Sequence, residues 1–136
     1  MADSVGAAAN AAGHPAQRRF GLARTVERDQ AVFAVATLAA WTHTVDEVRI
    51  GELVALPFAV ANVALVAMWS RLSTRNRAAI SVAFGFFWGL AAIPYHLVPL
   101  VGGAVTWQNV SGLTRVVAGV AMVALGIKIA RQRREP

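Results

Sequence analysis

Apolar residues in this chain are gathered into four long runs, from about Ala31 to Val48, Ile50 to Trp69, Ala78 to Val98 and Leu113 to Ala130, with charged residues and Gly or Pro at their borders. A bilayer core of about 30 Å is crossed by roughly 20 largely apolar residues in a helix. The pattern therefore predicts transmembrane helices over 31–48, 50–69, 78–98 and 113–130, the first of them short. The expected fold is all-α, an integral membrane four-helix bundle. It divides the chain into a basic, disordered tail over 1–29, a transmembrane domain over 30–130 and a basic tail over 131–136. Residues 1–17 are mostly Ala, Gly and polar residues and lack the apolar content to fold. Arg18, Arg19 and Phe20 do not read as a twin-arginine signal, because Arg24, Glu27, Arg28 and Asp29 intervene before the apolar run. The first helix is expected to stay uncleaved, since its polar end leads straight into another span.

Composition supports this reading. Of 136 residues 57% are hydrophobic and only 15% charged, against about 25% charged in an ordinary soluble domain. The absence of cysteine excludes disulfides, thiol chemistry and Cys-ligated metals. A net charge of +6 would suit nucleic acid if it covered a soluble face, but here the basic residues flank apolar runs. Eleven of the thirteen fall before the first run (Arg18, Arg19, Arg24, Arg28), between the second and third (Arg71, Arg75, Arg77) or after the fourth (Lys128, Arg131, Arg133, Arg134). Only Arg49 and Arg115 lie at the other ends, beside Asp46, Glu47 and Glu52. Basic residues are retained on the inner side of a membrane, so both termini are expected in the cytoplasm and the protein in the inner membrane, with no nucleic-acid partner.

Helices in lipid pack along stripes of small residues, where backbones approach closely. Such stripes recur at three- and four-residue spacing: Ala36, Ala39, Ala40, His43 and Glu47 in the first run; Ala55, Ala59 and Asn62 in the second; Gly85, Gly89, Ala92 and His96 in the third; Arg115, Gly119, Met122 and Gly126 in the fourth. Each stripe carries a polar side chain. If small residues face the interior, so do these. At about 1.5 Å per residue, counting from Arg28 and Arg77 puts His43 and His96 in the outer part of the membrane, His43 roughly 6 Å the deeper. Arg115 enters from the same side.

Asp46 and Glu47 follow His43 by three and four residues and can both flank it on one helical surface. A carboxylate one turn from an imidazole fixes its tautomer and makes an acid–base or metal-ligand pair. His96 lies between Pro94 and Pro99, which free the carbonyls of Leu90 and Tyr95. Irregular backbone at such depth is tolerated where it is buried in protein or lines a wet cavity, and Trp107, Gln108 and Asn109 in the following loop are placed to cover one. Plainer readings stand beside these. Asp46, Glu47, Arg49 and Glu52 suit a solvated turn, Tyr95 and His96 an interface, Asn62 a polar link between helices, and Arg115 a partner for a carboxylate of the first turn.

No phosphate-binding loop, His-Glu-x-x-His helix, Gly-x-Ser-x-Gly elbow or Cys pair is present. Three functions stay open. One is a cofactor-free, metal-free intramembrane acid–base enzyme, an isomerase or cyclase acting on an isoprenoid or other lipid-like substrate. In it His43, Asp46, Glu47, Tyr95 and His96 are catalytic, and Trp41, Asn62, Trp88, Trp107 and Arg115 bind substrate, the tryptophans by cation–π attraction to a cationic intermediate. Another is a small metal- or proton-linked transporter using His43, Asp46, Glu47 and His96. The last is a non-catalytic accessory subunit, held to a membrane protein partner or to further copies of itself.

Overall fold

The computed structural model describes residues 15–132, apart from the side chains of residues 15–20 and 22. Helix α1 spans Pro15–Arg49, α2 Leu56–Met68, α3 Thr74–Ala92, α4 Val98–Val101 and α5 Trp107–Gln132. A 3₁₀ turn, Trp69–Arg71, ends α2, and a π turn, Ile93–Leu97, joins α3 to α4 without a break, giving one helical rod over Thr74–Val101. The protein is thus all-helical and built of four helical rods, with no strand among the described residues. Two rods, Thr74–Val101 and Trp107–Gln132, are long and apolar enough to cross a membrane, with mean hydropathies of 1.6 and 1.8.

Helix borders differ most from the expected ones in three places, the third helix being only slightly longer at each end, over Thr74–Val101. The first helix begins at Pro15, so residues 15–29, assigned to the basic tail, continue it. This stretch is rich in Arg, Gln, Leu, Ala and Glu, which favour helix, and its end is docked: Asp29 is buried and accepts a 2.7 Å bond from Lys128 Nζ of α5. The second helix starts at Leu56 instead of Ile50. Gly51, at φ +85°, makes the reversal after α1, and Pro57 takes a first-turn position of α2, where its missing N–H costs nothing. Leu56–Arg71 is therefore shorter than the expected span. The fourth begins at Trp107, so Trp107, Gln108 and Asn109 form its first turn and not a loop. Thr106 Oγ1 accepts from Asn109 N at 3.2 Å and stabilises that start. Residues 1–14 and 133–136 of the expected tails lie outside the described residues.

The small-residue stripes form the helix contacts. Rods α3 and α5 pack most extensively, and α5 also lies against α1. A Cβ on Gly85 would come within 2.7 Å of Val123 N, and one on Gly119 within 2.6 Å of Gly85 O, so glycine is what lets these backbones meet. Ala36, Ala40, Ala55, Ala59, Gly89, Ala92, Met122 and Gly126 are likewise buried. Phe33 stacks on Trp69 at 4.7 Å between ring centres and closes one end of the core.

Beside the apolar core the interior holds many polar side chains, while many large apolar ones lie on the exterior. Thr37, His43, Thr44, Asn62, Ser81, Ser111 and Arg115 are buried, while Val35, Leu38, Leu90, Val117 and Val120 are more than half exposed. A water-soluble domain distributes these residue types the other way round.

Candidate functional site

The polar ends of three stripes converge where α1, the π turn and the first turns of α5 meet. Glu47, one helical turn beyond His43, receives both terminal nitrogens of Arg115: Nη1 donates to Oε1 at 2.6 Å and Nη2 to Oε2. Nη2 also donates to Thr44 Oγ1 at 2.9 Å. The two residues are 68 apart in sequence, and a two-pronged guanidinium–carboxylate pair fixes direction as well as distance. Arg115 further lies over the Trp88 ring, 4.9 Å from its centre. Its charge is met by a carboxylate on one side and an aromatic face on another, which suits its burial.

His43 is 1% exposed. Its Nδ1 is 2.8 Å from Ser111 Oγ of α5, and its Nε2 is 3.5 Å from Glu47 Oε1, without hydrogen-bond alignment. The His96 ring meets it edge to face, 4.3 Å between centres. The two ring centres thus lie closer than the roughly 6 Å of depth inferred from residue counting. Counting treats α3 as a straight α-helix, whereas the π turn that carries His96 spends residues on girth instead of rise. Gly112 of α5 makes room for His96, since a Cβ there would collide with the imidazole.

Beside the two rings lies a cavity of about 540 Å³ lined by fifteen residues. Its polar side is formed by His43, Glu47, Glu52, His96, Gln108, Asn109 and Arg115, and its apolar side mainly by Val54, Ala55, Phe87, Trp88, Ala92 and Tyr95. Of the residues singled out from sequence, His43, Glu47, Tyr95, Trp88, His96 and Arg115 therefore line one space. Tyr95 is 73% exposed, at its margin.

Four others are elsewhere. Asp46 is turned to the outer rim, where it accepts a 3.0 Å bond from Trp107 Nε1 and lies 3.8 Å from Arg49. Trp107 is occupied by that contact and is not among the lining residues. Trp41 donates through Nε1 to Ala59 O at 3.1 Å and borders a separate apolar groove between α1 and α2. Asn62 is fully buried, with neither side-chain atom hydrogen-bonded among the described residues, and does not reach the cavity. For Asp46 the reason is angular: on a helix, the i+4 residue sits nearly under His43 while the i+3 residue lies to the other flank.

Two participants were missed by sequence reasoning. Ser111 lies one turn before Arg115 and Thr44 three residues before Glu47, so each shares the face of a residue already singled out. Small hydroxyls on such a face are the signal that could have found them. Comparison with protein-family models, with curated proteins and with solved structures gives no match. What the fold and the site define is a class, a helical bundle with an apolar exterior and a histidine–carboxylate–arginine cavity.

Proposed function

We propose that this protein is a multi-pass protein of the cytoplasmic membrane, with four spans and both termini inside, whose outer cavity is an acid–base centre. Its substrate class is an isoprenoid or similarly apolar lipid, and its reaction an isomerisation or cyclisation driven by proton transfer. Support for the membrane setting comes from the eleven-to-two asymmetry of Lys and Arg and from the apolar exterior. Leu56–Arg71 is about 24 Å long at helical rise. The bilayer accommodates such a shortfall by local thinning.

The single observation that carries the chemical reading is the edge-to-face pair of His43 and His96 at the polar end of an otherwise apolar cavity. A substrate chain lying against Phe87, Trp88 and Tyr95 would bring a carbon atom to the exposed edge of His96. His96 then gives or takes the proton, and His43, held by Ser111, sets the orientation of His96 from behind. Arg115 neutralises Glu47 and keeps that carboxylate in place. Two imidazoles in contact avoid being charged together, which leaves an unprotonated ring free to act as base.

The test is isotope exchange. Purified protein in nanodiscs is incubated in D₂O with an isoprenoid and lipid extract, and products are read by mass spectrometry. Deuterium entering a lipid species with wild-type protein, and not with His96→Ala, is the expected outcome. Equal labelling with both proteins overturns the reading. It would leave Arg115 and Glu47 as a tie between helices in an accessory subunit.

A further inference from the structure

Three side chains at this site turn potential metal-ligand atoms toward one another. One atom each from His43, Glu47 and His96 lies within 4.8 Å of the others. His43 Nε2 and His96 Nδ1 are buried and have no hydrogen-bond partner among the described residues. Leaving two buried ring nitrogens unmet costs about 1–3 kcal/mol each, and proteins seldom accept that without use for it.

Ser111 Oγ lies 2.8 Å from His43 Nδ1 and 3.4 Å from the carbonyl oxygen of Gln108. In the tautomer where the hydroxyl donates to that carbonyl and accepts from Nδ1–H, Nε2 carries the lone pair and faces a Glu47 carboxylate oxygen 3.5 Å away. A cation between these two lone pairs favours that tautomer by turning their repulsion into attraction. Ligand atoms about 2.0–2.1 Å from a tetrahedral Zn²⁺ are separated by about 3.3 Å; the His43–Glu47 pair is near that at 3.5 Å, and the full set, within 4.8 Å, needs only side-chain adjustment to reach it.

We infer that His43 Nε2, His96 Nδ1 and a Glu47 carboxylate oxygen form a three-ligand site for a divalent transition metal, Zn²⁺ foremost, with a fourth position open to the cavity. Two imidazoles and one carboxylate are a ligand set suited to Zn²⁺, and three protein ligands with one open position are the arrangement of a catalytic zinc. Ser111 stands behind His43 as the group that holds the ring in its binding tautomer. Glu47 retains a lone pair for the metal because each carboxylate oxygen has more than one. The Arg115 charge opposes a dication, and Glu52 on the cavity wall adds a second negative charge to offset it. With the ion bound, His43, His96 and Glu47 would act as ligands, and the metal would supply the acid–base chemistry at its open position in place of the His96 ring. Metal binding itself stands on the geometry and not on the proposed substrate.

The experiment uses the full chain, freed of any affinity tag, in nanodiscs. Zn²⁺ titration by calorimetry and elemental analysis is expected to give about one ion per chain. His96→Ala and His43→Ala are expected to abolish this binding. Ser111→Ala, which removes no ligand, is expected to weaken it about 10-fold or more. Circular dichroism and elution volume identify variants that remain folded, and Ser111→Ala keeps the test decisive if a histidine variant does not. Absence of Zn²⁺ binding by wild-type protein, or undiminished binding by the folded variants, overturns the inference. Zinc binding without deuterium exchange upholds the site and removes the proposed reaction. Exchange without zinc binding does the reverse.

Discussion

Arg115 illustrates how one residue can hold several elements together. It reaches from α5 to Glu47 and Thr44 on α1 and covers Trp88 of α3. Little of it is exposed, and Glu47 is 14% exposed, so neither charge has water to fall back on. Replacing Arg115 by Met is expected to destabilise the protein by about 3 kcal/mol, because Glu47 is left as a buried, unpaired charge. Glu47→Leu combined with Arg115→Met is expected to recover most of that loss, since no charge remains to desolvate. Thermal unfolding in detergent measures both. A double variant no more stable than Arg115→Met would show that packing against Trp88, and not the ion pair, is what matters. At this scale the sequence was informative about His43 and Glu47, whose four-residue spacing is local. It placed His96 and Arg115 at a similar level and offered Arg115 a carboxylate of the first turn as partner, but which carboxylate it takes depends on how three helices pack. Asp46 shows the limit of spacing arguments, since three residues place it on the flank that the rim takes up.

Among the elements, α3 and α5 depend on glycine contact and α3 with α4 on a π turn. Gly119→Leu is expected to separate α3 from α5 and abolish folding, because even a Cβ there would meet Gly85 O at 2.6 Å. Gly21→Ala, in α1 with no atom within 4 Å of the added carbon, is expected to be neutral or to stabilise by about 0.5–1 kcal/mol. Cooperative melting followed by circular dichroism separates the two. The π turn is the element most directly tied to the site. Pro94 has no N–H for the carbonyl of Leu90, which favours an irregular turn there and sets the direction of His96. Pro94→Ala is expected to let α3 run on as regular helix, turning His96 away from His43. Zn²⁺ binding should then fall while the melting temperature holds or rises. The irregularity itself was legible from the two prolines. The start of α5 at Trp107 was not, because nothing in the local pattern separates a loop rich in polar residues from a capped first turn.

For the molecule as a whole, the matter to be tested is the proposed membrane setting and the orientation that goes with it. The chain contains no cysteine, so single-cysteine labelling needs no background substitutions. Thr74→Cys, at the start of α3, is expected to be shielded from a membrane-impermeant maleimide applied to intact spheroplasts, and Ala104→Cys, between α4 and α5, to react. The opposite pattern would invert the proposed topology and put the cavity on the cytoplasmic side. The Asp29–Lys128 pair marks the end of the bundle opposite the cavity and ties α1 to α5 there. Together with the Glu47–Arg115 pair it fastens the same two helices at both ends.

The sequence by itself determined the helical class, the polar interior and the small-residue contact faces, because each is a periodic property of a single segment in a given solvent. Only the tertiary structure decided that His43, Glu47, His96 and Arg115 share one cavity while Asp46, Trp41 and Trp107 do not. That outcome rests on the rotation and offset of helices against one another. These are set by where glycine lets two backbones touch and where proline widens a turn, and no single segment contains that information.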